Sequence, residues 1–541
     1  MPEVTPLPEM DIEVPAKVNV AWEICDRRVA EGKGDTVFIY FKDSRITYGE
    51  LQRRQNRIGN ALKKLDISKG DCIVLRTPNN VELFAFLLAT LKIGAIAVPT
   101  QTLFREREVE HIINNSDAVL AFSDPERVTA IEAVRGKCPS LKHIVVLGDA
   151  TGDQIAFEDF IRNASDELEC VDTSSDDAAF VFYTSGTTGV PKGVVRAHKD
   201  PYASGIPWSR TLAGTPDDIC LNPVEMGFTY FSGALSAITY TGCRMVLYDG
   251  RVTPERVLES IEKYRITKLA TVPSLYRMIL AIEDCEKKYD LTSLKCLISA
   301  GEPLPPDTYT QLKNRFGLET YDIIGSTECY PYCGERPGIP IKLGSMGKPY
   351  PGIPIAILDD NGDFCPPNHT GHLVIKDDSP PLFTEYRKMP DKWAETHKYS
   401  GWFDTGDLAY ADEDGYFFHA GRSDDMIKSR GYLVSPKELE DTILEVPEAL
   451  EAAVVGIPDP VTTHRVKAFI TLKPGFTPTL ELAEKIRTYI KERIAAYKVP
   501  KDIEFAEELP KTGTGKILRR ELRELEEERH QRGETGGFRF E

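Results

Sequence analysis

Short apolar runs alternate with helix-length stretches along most of the chain. Asp71-Cys-Ile-Val-Leu-Arg76 reads as a buried strand, Val81 to Ile93 as an apolar helix and Ala95-Ile-Ala-Val98 as the next strand. Ala118 to Phe122, His143 to Leu147, Arg244 to Tyr248, Lys268 to Val272 and Lys295 to Ser299 are further strands, with a helix over Pro254 to Tyr264. This order predicts an α/β architecture with sizeable parallel sheets flanked by helices. No repeat of fixed period interrupts it. Gly401 to Asp425 is rich in Gly and Asp and carries little apolar periodicity. Beyond it lies a compact α/β unit: helices over Ser435 to Leu444 and Leu480 to Ala496, strands over Ala452 to Gly456 and Lys467 to Thr471. The expected organisation is a large N-terminal domain, residues 1–423, and a small C-terminal α/β domain, residues 424–541. The run Arg520 to Arg532 is charged and reads as a solvated or frayed helix.

Composition narrows the function classes. A chain of 541 residues needs more than one core. With 84 acidic against 66 basic residues, its net charge of −18 repels nucleic acid and anionic membrane surfaces. Bound phosphate must therefore be held by a local site. The longest apolar run, Leu83 to Val98, is broken by Lys92 and Gly94 and does not reach the ~20 residues of a membrane span. Met1 to Val14 lacks the basic-then-apolar pattern of a signal peptide. The 11 cysteines include no CxxC, and Cys329 and Cys333 have no second pair at zinc spacing. Free thiols and a cytoplasmic location are expected.

Four segments could carry chemistry. Tyr183-Thr-Ser-Gly-Thr-Thr-Gly-Val-Pro-Lys-Gly193 packs hydroxyls, glycines and a lysine after an apolar strand. Glycines turn backbone N–H groups toward an anion, and hydroxyls and lysine add donors and charge. That suits a loop embracing polyphosphate; a flexible polar turn is the plainer alternative. Tyr321-Asp-Ile-Ile-Gly-Ser-Thr-Glu328 ends a strand in a hydroxyl beside a carboxylate, a pair able to hold Mg²⁺ near phosphate or simply to cap a helix. Gly401-Trp-Phe-Asp-Thr-Gly-Asp407 and Gly421-Arg-Ser-Asp-Asp425 offer a carboxylate to ribose hydroxyls, or are two Asp/Gly turns. Pro510-Lys-Thr-Gly-Thr-Gly-Lys516 suits a mobile cationic finger, or a basic surface turn. His198 reads as a polar loop histidine, since no serine base is required.

Taken together and in this order, with Ser299-Ala-Gly-Glu-Pro303 between them, these segments resemble the adenylate-forming superfamily of acyl-CoA synthetases, luciferases and nonribosomal adenylation domains. The resemblance runs from Thr47-Tyr-Gly-Glu-Leu51 to Lys516. It implies a phosphate loop of Thr184, Ser185, Gly186, Thr187, Thr188 and Lys192. It implies an adenine side of Gly301, Glu302, Pro303 and Asp322, and Ser326, Thr327 and Glu328 at the α-phosphate, Glu328 also being the Mg²⁺ ligand. Asp407 matches the ribose-binding aspartate, Arg422 a nucleotide-contacting arginine and Asp424 the hinge of a mobile C-terminal domain. Lys516 matches the lysine that bridges carboxylate and α-phosphate; Lys516, Glu328 and Thr184 are the expected catalytic groups.

Gly325-Ser-Thr-Glu328, Gly431-Tyr-Leu-Val-Ser-Pro436 and Gly344-Ser-Met-Gly-Lys-Pro349 resemble the benzoate-type ligase branch. The sequence departs from that branch at Cys329-Tyr-Pro-Tyr332, Arg430, Leu433 and His464-Arg465. The acyl pocket is expected around Phe228, Thr229, Tyr230, Cys329 and Tyr330, and the CoA side at Gly431 and Tyr432. The implied activity is an ATP-, Mg²⁺- and coenzyme A-dependent acyl-CoA ligase for a small aromatic, alicyclic or short to medium branched carboxylic acid, as monomer or homodimer. A stand-alone enzyme loading a carrier protein and a non-catalytic nucleotide-binding regulator are the competing readings.

Overall fold

The computed structural model describes residues 12–184, 191–423, 425–429, 432–459, 463–495, 498–511, 517–534 and 536–540. Two large sheets form the N-terminal body. In one, strands Thr320–Ile324, Cys296–Ala300, Lys268–Thr271, Ile219–Leu221, Arg244–Val246 and Val37–Phe41 lie side by side and parallel. In the other, Ala178–Thr184, Ile96–Pro99, Cys72–Arg76, Leu120–Ser123, His143–Val146 and Ile155–Ala156 do the same. Helices cover both faces of such a sheet, so its strands read as unbroken apolar runs; every residue of Cys72–Arg76 and of Cys296–Ala300 is buried.

Local chemistry sets the helices. Thr47 and Glu50 form a capping box that starts Tyr48–Lys64, the stretch whose Thr-Tyr-Gly-Glu pattern carried part of the resemblance. Asn80 caps the all-round apolar helix Val81–Lys92, accepting from the Leu83 amide at 2.7 Å. Lys92, which interrupts that apolar run, is buried and ion-paired to Asp26 at 2.8 Å. No helix among the described residues is long and apolar enough to cross a membrane.

Ten elements position the site. They are β1 (Ala178–Thr184), β2 (Lys192–Ala197), α1 (Gly205–Leu212), α2 (Thr229–Thr241), β3 (Cys296–Ala300), β4 (Thr320–Ile324), β5 (Trp402–Ala411), β6 (Phe417–Arg422), α3 (Pro436–Leu444) and α4 (Arg519–Arg532). β5 and β6 pair antiparallel in a third, four-stranded sheet. The Gly/Asp-rich stretch is thus strand rather than two turns: turn residues sit inside it because Gly406 takes φ +77° in mid-strand.

The smaller C-terminal α/β domain has its own sheet and a core drawn from residues beyond Ile427. The two expected strands are centres of a longer antiparallel pair, Ala449–Asp459 with Thr463–Leu472. The helix from Leu480 ends at Lys491, short of Ala496. α4 is solvated along most of its length, as expected, but one face is anchored: Leu522 and Glu526 are buried, and Lys467 Nζ bonds Glu526 at 2.8 Å.

Candidate active site

The phosphate-loop segment joins β1 to β2, which pair antiparallel with Thr184 opposite Lys192. Ser185, Gly186, Thr187 and Thr188 lie outside the described residues. The base of the loop is pinned by His111, whose Nε2 meets the Pro191 carbonyl at 2.9 Å. Lys192 Nζ lies 3.9 Å from Glu328 Oε1 and 5.1 Å above the Tyr386 ring. The Tyr386 hydroxyl donates to the same Glu328 oxygen at 2.8 Å. Sequence reasoning missed Tyr386, which has no local signal. It reaches the site because Glu385–Tyr386 pairs onto β2.

The segment after β4 is tightly folded. The Ser326 amide donates to the Cys329 carbonyl at 2.7 Å. A Cβ on Gly325 would stand 2.9 Å from that of Tyr330, so only glycine fits. The Glu328 carbonyl accepts from the Phe383 amide at 2.7 Å and from Arg196 Nη1 at 2.9 Å. Thr327 Oγ1 is 3.2 Å from Thr229 Oγ1, at the start of α2. Of the expected acyl residues, Phe228, Thr229 and Tyr230 are half-buried, and Cys329 and Tyr330 are buried. Burial pushes the Cys329 thiol up to about 12, which leaves it inert as a nucleophile.

At the residues expected to face adenine, Ser299 of β3 is in register with Asp322 of β4, and Gly301 turns the chain with φ +88°. Asp322 Oδ2 accepts from the Leu304 amide at 3.1 Å; Oδ1 is buried without a hydrogen-bond partner. Burial raises this carboxyl to about 7, against the Leu304 amide, the Ser299 hydroxyl and the Lys437 ammonium. Glu335, which accepts from the Asp322 amide at 3.0 Å, is raised by burial to about 8. An orphaned acceptor in a buried wall suits an amino group such as that of adenine.

Asp407 and Arg422 face each other across β5 and β6, with Nη1 to Oδ1 at 3.3 Å. His419 Nε2 stands at the same distance from Oδ1, a neighbour that sequence reading did not bring in. A Cβ on Gly406 would come within 2.9 Å of the Arg422 guanidinium, so the glycine lets the arginine lie close.

The C-terminal domain meets this face through α3 and α4. Lys437 acts on Asp322, and Glu302 supports the charge of Arg519. Arg519 and Arg523 bond Glu440 and Asp425. Asp424, Gly431 and Lys516 lie outside the described residues, and so does Arg430. The loop that carries Lys516 is closed by a bridge between Lys511 and Ile517 and by the Leu518 amide on the Pro510 carbonyl at 2.8 Å. Tyr432 begins the strand Tyr432–Val434. His198, just past β2, is fully buried, accepts from the Val20 amide at 3.1 Å and is pushed down to about 4 by burial. It lies in the turn after β2, as expected of a loop residue, but its ring is part of the core.

Residues 25–386 match the family model for AMP-binding enzymes, and residues 438–516 that for the AMP-binding enzyme C-terminal domain. The acetyl-coenzyme A synthetase of Bacillus subtilis is 35% identical over 94% of this chain and 91% of its own. The benzoate–CoA ligase of Thauera aromatica is 34% identical over 95% and 97%. The crystal structure of the anthranilate CoA ligase AuaEII in complex with anthranoyl-AMP superposes with a TM-score of 0.91 at 34% identity, covering 96% of this chain and all (100%) of that one. The chain belongs to the AMP-binding enzyme family.

Proposed function

We propose that this protein is an AMP-forming acid–thiol ligase that joins a small aromatic, alicyclic or short to medium branched carboxylic acid to coenzyme A. The observation that carries the reading is the 3.2 Å contact between Thr327 and Thr229. It joins the Ser-Thr-Glu segment, to which we assign the α-phosphate, to the first turn of α2, to which we assign the acyl wall. A carboxylate oxygen of the acid attacks the α-phosphorus of ATP; the bond to the bridging oxygen breaks and pyrophosphate leaves. The CoA sulfur then attacks the acyl carbon, and AMP leaves with the electrons of the C–O bond.

The first step brings two anions together, so cations must lie between them. Lys516 is assigned that place, with Thr184, Ser185, Gly186, Thr187, Thr188 and Lys192 receiving pyrophosphate. Asp322, Gly301, Glu302 and Pro303 hold the adenine, Asp407 and Arg422 the ribose side, and Ser326 and Thr327 the α-phosphate. Glu328 fits a Mg²⁺ ion: it is one carboxylate oriented by Tyr386, and among the described residues no group of three metal-ligating side chains exists to make a closed cage. A Mg²⁺ ion held by Glu328 would supply charge neutralisation there. We assign residues 1–423 and 424–541 to the two moving parts. Rotation at Asp424 withdraws Lys516 and brings Gly431 and Tyr432 to the thiol. All eleven cysteines are free thiols, which favours the reducing cytoplasm.

The test is AMP and pyrophosphate release with ATP, Mg²⁺ and CoA across acetate, isobutyrate, hexanoate, octanoate, cyclohexanecarboxylate and benzoate. CoA-dependent AMP release is expected with one class. Pyrophosphate exchange without it would move the acceptor to a carrier protein, and no exchange with any acid would remove the ligase reading. Lys516→Ala is expected to abolish adenylation while sparing thioester formation from supplied acyl-adenylate; equal loss of both would overturn the rotation.

A further inference from the structure

The end of the acyl side is built from residues that lie on three separate elements. α1 packs against α2 so closely that a Cβ on Gly205 would meet the Ser236 carbonyl at 2.8 Å. On α2, Thr229 and Gly233 are four residues apart and so share a face. A Cβ on Gly233 would lie 2.0 Å and 2.5 Å from Cζ3 and Cε3 of Trp208, and 2.9 Å from the Tyr330 ring. No side chain can stand there. The Trp208 indole, reaching over from α1, fills the space into which one would project. It is only 3% exposed and stacks on Tyr230 with centroids 5.6 Å apart. From Thr327 the wall runs through Thr229 and Tyr230 and ends on the indole.

The neighbouring side, around Tyr330, is polar in composition but closed in its bonding. Tyr330, two residues after Glu328, lies 4.2 Å beneath the Arg196 guanidinium. All five guanidinium donors are used. Nε and Nη2 bond Asp200 at 3.0 and 2.6 Å, Nη2 also reaches Ser204 at 3.1 Å, and Nη1 bonds the carbonyls of Glu328 and Pro381 at 2.9 and 2.7 Å. The Tyr330 hydroxyl donates to Asp200 Oδ2 at 2.9 Å and lies 3.3 Å from the Ser232 hydroxyl. These groups hold one another, beside the indole of Trp208.

We propose that Trp208, seated on Gly233, sets the length of the acyl group, and that the closed Arg196–Asp200–Tyr330 set restricts the acid to one whose tail carries neither a second charge nor a hydrogen-bonding group. The inference rests on the ligase reading above and sharpens it. A hydroxyl, amino or second carboxyl group entering this end would lose water and find its would-be partners already committed. Compact unsubstituted acids are therefore the substrates, in preference to their hydroxy, amino or dicarboxylic counterparts.

The experiment compares kcat/KM, from CoA-dependent AMP release by the full chain, within two sets. One set pairs benzoate with 4-hydroxybenzoate and butyrate with 4-hydroxybutyrate. The other runs from butyrate to hexanoate, octanoate and 3-phenylpropionate, in wild type, Trp208→Ala and Trp208→Leu. The unsubstituted member of each pair should lead by roughly 10- to 100-fold. Trp208→Ala should raise the ratio of longest to shortest acid by roughly tenfold or more, mainly through KM for the acid, with KM for ATP unchanged; Trp208→Leu should move it the same way by less. Leucine keeps an apolar body in the core, so a failure of the alanine chain to fold leaves the leucine chain to decide. An unaltered length profile in a folded variant overturns the role of Trp208. Hydroxy acids used as well as their partners overturn the tail restriction. Absence of CoA-dependent AMP release from wild type with every acid is a different outcome, since it removes the ligase reading itself.

Discussion

Asp200 and Asp322 are both buried carboxylates within the same body, and they are treated in opposite ways. Asp200 sits in a finished network: Arg196 bonds both its oxygens, and Tyr330 adds a third donor. Asp322 has a backbone amide on one oxygen and no hydrogen bond on the other, and its nearest named cation, Lys437, belongs to the C-terminal domain. A closed network holds a wall in shape, whereas an open one leaves a place for a ligand. The largest expected effect follows from breaking the closed one. Arg196→Ala leaves Asp200 charged and buried without its cation, with only the Tyr330 hydroxyl on it, a cost of ~3–5 kcal/mol. A marked fall in the midpoint of thermal unfolding is expected, and the double change Arg196→Met with Asp200→Leu should recover most of it. A midpoint equal to wild type for the single variant would show that Asp200 needs no partner.

The open carboxylate should reveal itself through pH. Asp322 is raised from 3.8 to about 7 by burial. A carboxyl whose folded pKa lies above its unfolded one stabilises the fold fully below the unfolded value. That contribution is lost as pH climbs through the folded value, here between about 4 and 7, at up to ~1.4 kcal/mol per pH unit. Asp322→Asn has no proton to lose, so its melting midpoint should gain on wild type between pH 5 and pH 8. Glu335, raised to about 8, keeps a residual slope in both chains. Parallel curves for the two chains would mean that Asp322 stays charged in the fold.

A smaller effect belongs to a carboxylate of intermediate kind. Asp407 has Arg422 and His419 each 3.3 Å from one oxygen, contacts long enough to be exchanged for ribose hydroxyls. Asp407→Ala should weaken ATP binding in a calorimetric titration by roughly 10- to 100-fold, the worth of hydrogen bonds to a charged acceptor. Unchanged affinity would take Asp407 out of the nucleotide site.

The same contrast explains what could be read from the sequence. The parallel strands were legible because burial on both faces makes them continuously apolar, as at Cys72–Arg76. The proposed nucleotide side could be named from the sequence because open chemistry leaves hydroxyls, glycines and carboxylates close together in the chain, as from Asp322 to Glu328. Of the proposed acyl end, only Tyr330 could be. Trp208, Gly233, Arg196 and Tyr330 come from a strand end, two helices and a loop, and each alone resembles ordinary core. The one available signal was Arg196 within the apolar run Val194-Val195-Arg196-Ala197, a charge that burial obliges to find a partner. β5 and β6 were hidden for another reason: turn residues occupy positions in mid-strand where Gly406 must take positive φ.

The smallest expected effect isolates a single hydroxyl. Tyr386 contributes two separable interactions: its hydroxyl donates to Glu328, and its ring lies under the Lys192 ammonium. Tyr386→Phe removes the first and keeps the second. Loss of one hydrogen bond to a partly exposed carboxylate is worth ~1 kcal/mol, so kcat for adenylation should fall roughly fivefold with KM for ATP little changed. Tyr386→Leu removes both interactions and should fall further, because the ammonium loses its aromatic face. If Tyr386→Phe is as active as wild type while Tyr386→Leu is not, the ring alone matters, and Glu328 belongs with the self-sufficient groups of the acyl wall. If the two variants fall equally, the hydroxyl carries the whole effect, and Glu328 depends on a neighbour just as Asp322 depends on what binds beside it.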